Sequence, residues 1–263
     1  MKLALESGKT PAANARLAMV MIVLGVVALA ASPAFADPIA AESAPKYAGH
    51  IYVDFATGTT TFEAAKFETN RALVAGDVYD NTTASTVIGF SDADLAGEFG
   101  DRVTTTGTGF LDQNDFTIFN SGSSVGPFLT AVFTITLYDG SLPLLPVPVP
   151  LGSYTTAPVI FTGGLLPGTF KIITMTGLSG LGINLTTTDV LIKQKISSFT
   201  GTANRVGCVL KGLASPGSSV AAMYINTTSN ASGYYTVVGG QNDPGYRINV
   251  SSVPVELSRF SVE

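Results

Sequence analysis

Tryptophan is absent from the 263 residues, cysteine and histidine occur once each, and charged side chains make up only 13% of the chain. Each scarcity closes a route. Cys208 has no partner for an intrachain disulfide, so stability must come from core size or from bound ions. With His50 as its one imidazole, the chain has little room for imidazole chemistry. Lysine and arginine form no block and the formal net charge is −5, which argues against nucleic acid or an anionic membrane surface as main partner. The missing Trp disfavours the aromatic platforms with which proteins hold sugars. No repeat of about 20 to 50 residues is present, which disfavours a solenoid or propeller.

What is present begins with an export signal. Lys2, Lys9 and Arg16 form a basic leader, residues 17–31 are an apolar run, and Ala34-Phe35-Ala36 puts small residues where a signal peptidase reads them. The apolar run is shorter than the roughly 20 residues needed to cross a bilayer. Cleavage after Ala36 is therefore expected, leaving no transmembrane span and an acidic chain whose formal charge falls from −5 to −7. Hydrophobic residues at 46% support a real core. Residues 37–46, rich in Ala and Pro, read as a linker, and 47–263 as one domain.

The dominant pattern in that domain has period two. Phe133, Ile135 and Leu137 alternate with Thr134, Thr136 and Tyr138, the mark of a strand with one apolar and one polar face. Similar runs lie around Val103 and over 116–119, 158–161, 170–175, 190–196, 206–210, 220–225, 234–238, 246–250 and 255–262. Turn signals such as Asp139-Gly140, Pro167-Gly168, Pro216-Gly217 and Asp243-Pro244-Gly245 separate them. Many short strands with Gly and Pro turns predict an all-β fold, an antiparallel β-sandwich of jelly-roll or Ig-like type with very little helix. The one helix candidate is 61–73. Residues 141–152 carry Pro143, Pro146, Pro148 and Pro150, and prolines at that spacing cannot feed a ladder, so an extended loop or edge segment is expected.

Several segments carry a resemblance. Val78-Tyr79-Asp80-Asn81-Thr82 is followed by Ala96-Gly97-Glu98-Phe99-Gly100-Asp101-Arg102-Val103, by Leu137-Tyr138-Asp139-Gly140 and by Tyr246-Arg247-Ile248-Asn249-Val250. Together they resemble secreted bacterial β-sandwich proteins of the PEP-CTERM or choice-of-anchor type. The resemblance implies an exported protein associated with the surface or the matrix, mostly without known activity. The chain departs from that type at 253–263, which lacks the Val-Pro-Glu-Pro, apolar helix and basic stop. That segment reads as a final strand or as a sorting signal.

Chemistry is thinly represented. Gly122-Ser123-Ser124-Val125-Gly126 fits a nucleophile elbow, but Gly126-Pro127 opposes the helix that must follow, and His50 precedes Ser124 in the wrong order for a hydrolase. Asp92, Asp94, Glu98 and Asp101 fall within ten residues and form a candidate calcium site, since calcium asks for six to eight oxygens. The alternative is a solvated acidic loop. Tyr234 and Tyr235 alternate on a strand, so one of them should face outward and could meet a glycan. Cys208 reads as a small buried hydrophobe. Asn81, Asn184, Asn226, Asn230 and Asn249 each head an Asn-X-Ser/Thr triplet, relevant where the host glycosylates. The sequence thus predicts a structural or adhesive protein of the cell surface or extracellular matrix, not an enzyme, whose partner is a surface or matrix polymer or protein. A carbohydrate-binding module is the alternative, and a glycoside-active enzyme using two of the acidic-loop carboxylates is the more distant one.

Overall fold

The alternation seen in the sequence becomes two facing sheets in the computed structural model, which describes residues 36–39, 45–64, 75–84, 86–140, 150–237 and 243–251. In chain order the strands are β1 (Ala36–Ile39), β2 (Lys46–Asp54), β3 (Thr60–Glu63), β4 (Asp77–Asp80), β5 (Thr86–Asp92), β6 (Glu98–Thr104), β7 (Gly109–Asn120), β8 (Phe128–Asp139) and β9 (Pro150–Thr155). They continue with β10 (Val159–Leu165), β11 (Thr169–Thr176), β12 (Asn184–Leu185), β13 (Asp189–Gly201), β14 (Val206–Lys211), β15 (Ser218–Asn226), β16 (Gly233–Val237), β17 (Asp243–Pro244) and β18 (Tyr246–Ser251). A single 3-10 turn, Leu178–Leu181, is the helical element among the described residues. No helix among them is long and apolar enough to cross a membrane.

The first sheet has eight strands in the order β1-β16-β15-β6-β13-β8-β10, with β9 beside the far end of β8. The second has ten and is organised around β7. One edge of β7 carries β11 and, beyond it, β2 and β3; the other carries β14 at one end and β18 at the other. Pairing is antiparallel except for β1 with β16 and β2 with β11. The protein is an all-β sandwich, as its alternation predicts.

Phe133, Ile135 and Leu137 of β8 turn inward and are fully buried, while Thr134, Thr136 and Tyr138 keep partial exposure. From across the sandwich Phe116 meets Phe133 with ring centres 5.0 Å apart, and Phe90 meets Phe99 at 5.6 Å, both edge to face. These pairs join the second sheet to the first through the favourable edge of one ring and face of the other. Polar ties cross as well: the Tyr154 hydroxyl donates to Asn114 Oδ1 at 2.8 Å and the Gln194 amide to the Thr117 carbonyl at 3.0 Å.

Two expectations are altered. The last residue of the signal segment and the first three of the segment read as a linker form an edge strand of the first sheet, Ala36–Ile39. The first three residues of the helix candidate, 61–63, lie in the strand Thr60–Glu63, where Thr61 and Phe62 pair with Tyr52 and Ile51 of β2. Within the Pro-rich segment, Pro150 begins β9, which pairs only with β8 and so sits where a missing N–H is tolerated. The signal segment before Ala36, residues 65–74 and 141–149, and the tail 253–263 lie outside the described residues.

Phe133→Ala is expected to cost roughly 3–5 kcal/mol of stability, whereas Val125→Ala, at a side chain left 73% exposed, should stay within about 0.5 kcal/mol. Urea unfolding of the two variants measures the contrast.

Candidate functional site

The polar groups of this chain collect along a seam that the sequence scatters over 170 residues. Strand β18 lies between β4 and β7, so Arg247 stands opposite Asp80 on one side and Asp115 on the other. Its Nε and Nη2 donate to the two oxygens of Asp77 at 2.8 and 2.7 Å, a bidentate fork. Asp80 lies 4.0 Å and Asp115 3.7 Å from the same guanidinium, and Arg247, Asp80 and Asp115 are all buried. Burial disfavours the charge on Arg247, but the Asp77 fork, Asp115 and Asp80 outweigh it and raise its pKa further. Asp80 goes upward as well: its burial outweighs the two bonds from Thr82 and the pull of Arg247.

Side chains flanking this pair fix the backbone. Asn81 accepts from the Tyr246 amide at 2.8 Å and donates to the carbonyls of Asp243 and Pro244 at 3.3 and 3.0 Å. Asn249 donates to Asp77 at 3.0 Å and to the Ala75 carbonyl at 3.1 Å. The segments that carry the family resemblance, Val78 to Thr82 and Tyr246 to Val250, thus bond to one another. Their motif residues are polar cement.

The four candidate calcium ligands are not gathered into one site. Glu98 and Asp101 are three apart on a strand and fall on opposite faces: Glu98 pairs outward with Asn226 at 3.2 Å, and Asp101 points into the core with no exposure. Asp92 receives the Asp94 amide at 2.8 Å and the Thr227 hydroxyl and Asn230 amide at 3.1 Å each. Asp94 receives the amides of Ala96 at 3.0 Å and Thr228 at 2.8 Å. Asp92 and Asp94 therefore clamp the turn between β15 and β16 through direct hydrogen bonds. Among the described residues no three His, Cys, Asp or Glu side chains lie placed to hold a metal ion.

The tyrosine pair divides as its alternation requires. Tyr235 is the inward one, 8% exposed, with its hydroxyl donating to the Ala231 carbonyl at 2.6 Å, so its place in a glycan contact is corrected. Tyr234 lies on the outer side, edge to face with Tyr224 at 6.0 Å. Tyr224 in turn takes the Lys193 ammonium over its ring at 4.1 Å, and Tyr138 flanks the same ammonium at 4.7 Å. Gly100 stands between Lys193 and Tyr224 in register, and a Cβ there would meet the Ile192 carbonyl. Its bare backbone lets the lysine reach across the strand. Beyond this cluster the outer face carries hydroxyl pairs: Thr130 with Thr200 at 2.8 Å, and Thr134 with Thr155 at 3.0 Å and Ser197 at 2.6 Å.

The elbow-like serine is held structurally. Ser124 Oγ accepts the Asn204 amide at 3.1 Å and donates to the Gly126 carbonyl at 3.4 Å, while His50 stacks on Tyr52 at 4.3 Å and bonds Thr174 at 2.5 Å. Cys208 is buried in the core, and burial pushes its thiol up, away from reactivity. Asn81 and Asn249 are buried, which keeps those two triplets from any modifying enzyme.

No known protein family matches this chain, and neither a curated protein nor a solved structure proved similar to it.

Arg247→Met should destabilise the protein by about 3–5 kcal/mol near neutral pH by leaving three buried carboxylates without their cation. Burial raises the pKa of Asp80, which takes up a proton as the pH falls, so denaturant titrations should give a smaller loss at pH 4 than at pH 7. Asp92→Ala removes an acceptor of three bonds and should cost about 1–3 kcal/mol, with hydrogen exchange at Thr227 to Asn230 accelerating first. With those donors already on Asp92 and Asp94, calcium and chelator should leave the melting temperature of the parent chain unchanged.

Proposed function

We propose that this chain is an exported structural or adhesive β-sandwich that meets a polymer or protein of the cell surface or extracellular matrix through the outer face of its first sheet. The observation that carries the reading is the set of exposed hydroxyl pairs on that face, Thr130 with Thr200 and Thr134 with Thr155 and Ser197. Such a face offers many donors and acceptors at strand spacing and no concentrated charge, which suits a repetitive polar partner. Support also comes from the groups that could do chemistry. Ser124, His50, Asp92, Asp94 and Asp77 are each engaged in bonds that hold backbone or a buried charge in place.

A carbohydrate-binding module is the second reading, favoured by Tyr234 on the same outer face beside Tyr224. Its aromatic offer is modest, since Lys193 already occupies the Tyr224 ring.

Fractionation of the native host tests both. The first reading expects the protein in the envelope or matrix, and expects Thr134→Glu with Thr136→Glu, which stand opposite Lys195 and Lys193, to release it to the medium while the melting temperature holds. Retention on polysaccharide that Tyr234→Ala abolishes selects the second. Recovery in the cytoplasm overturns both.

A further inference from the structure

The outermost strand of a sheet leaves a row of N–H and C=O groups unpaired, and folds guard such edges with charge, proline or a bend. Several outermost strands here carry charge: Asp37 in β1, beside Pro38, Glu63 in β3, Asp77 and Asp80 in β4, and Asp92 in β5. Strand β10 carries none. It pairs with β8 alone, Val159 and Ile160 standing opposite Ala131 and Thr130, and the register is lost before Leu165, where Gly163 and Gly164 take positive φ. Over Val159-Ile160-Phe161-Thr162 its outer edge has neither charge nor proline, and no partner strand among the described residues.

The side chains around that edge are apolar and open. Val159, Phe161 and Leu165 are buried and anchor the strand from within, whereas Ile160 is 58% exposed on the outer face beside Thr130. Leu129, Leu166 and Phe199 are exposed at the same corner. A Cβ at Gly164 would meet Leu129, Leu165 stands opposite Phe128, and the Phe128 ring meets Phe199 at 5.4 Å. Four of the eight large apolar side chains left exposed among the described residues therefore gather at one end of β8.

Charge points to the occupant. Two copies of a chain with formal charge −5 repel over most of their surfaces, yet residues 140–170 contain no Asp, Glu, Lys or Arg. A two-fold axis through a strand sets each residue against itself or a near neighbour, and like charges so placed would destabilise the ladder. At β10 there are none to oppose. We propose that β10 is an interface between two copies of this chain, pairing antiparallel with the β10 of a second copy about a two-fold axis. The first sheet then runs unbroken through the dimer, both open edges are closed, and the Ile160 side chains leave water. This goes beyond the surface role and does not rest on it.

Sedimentation of the purified chain over a concentration series tests the interface, alongside Ile160→Glu, Ile160→Lys and their equimolar mixture. The parent should double in mass as concentration rises, and each variant alone should need at least about tenfold more protein to do so. The mixture should recover the dimer, because Glu and Lys then meet across the axis. A parent that stays monomeric, variants that dimerise like the parent, or a mixture no better than its components overturns the proposal. Should the variants fail to fold, amide hydrogen exchange on the concentrated parent decides: protection of those amides of residues 159–162 that do not bond to β8 supports the pairing, and fast exchange there overturns it.

Discussion

A guanidinium without access to water must find compensating charge within reach of its own planar fork, and Arg247 finds it in Asp77, with Asp80 and Asp115 close behind. That demand fixes more than one contact. The fork works only when β18 lies between β4 and β7 in one register, because a slip of one residue would send Arg247 into the core and Ile248 out of it. Burying Tyr246 and Ile248 and neutralising Arg247 are thus the same constraint seen from two faces of one strand. Asn81, bonded to the backbone at both Tyr246 and Pro244, holds the entry to that strand in place.

The two buried polar clusters solve desolvation in opposite ways. Around Arg247 the charges are kept, since a cation and its carboxylates stabilise each other where water cannot. At Asp101 the carboxyl has no exposure, its Oδ1 has no hydrogen-bond partner among the described residues, and burial raises its pKa. The clamps at buried Asp92 and half-buried Asp94 are a third case, in which a carboxylate collects amides and hydroxyls from a turn. Most of the acid groups that looked like a cluster in the sequence have structural occupations, divided among these arrangements.

On the outer face of the first sheet the strands present threonine and serine hydroxyls. The Lys193 ammonium lies between the rings of Tyr138 and Tyr224, while the Thr130 and Thr134 pairs stay open to solvent.

The sequence alone determined the class of fold, because a period of two is a local property: Phe133, Ile135 and Leu137 face inward whatever lies opposite them. It also determined that one of Tyr234 and Tyr235 must point out, whereas the strand that sends Glu98 and Asp101 to opposite faces was not legible in it. Short strands escaped it: Thr60 to Glu63 has too few residues to show alternation, and its state follows from pairing with β2. The seam was decided only by tertiary structure. Nothing in Asp77, Asp101, Asp243 or Arg247 taken singly distinguishes a surface charge from a buried one, since burial depends on which strands become neighbours. Those neighbours, β4 beside β18 and β17 against β6, are set by contacts between residues more than a hundred positions apart, to which a local pattern is blind.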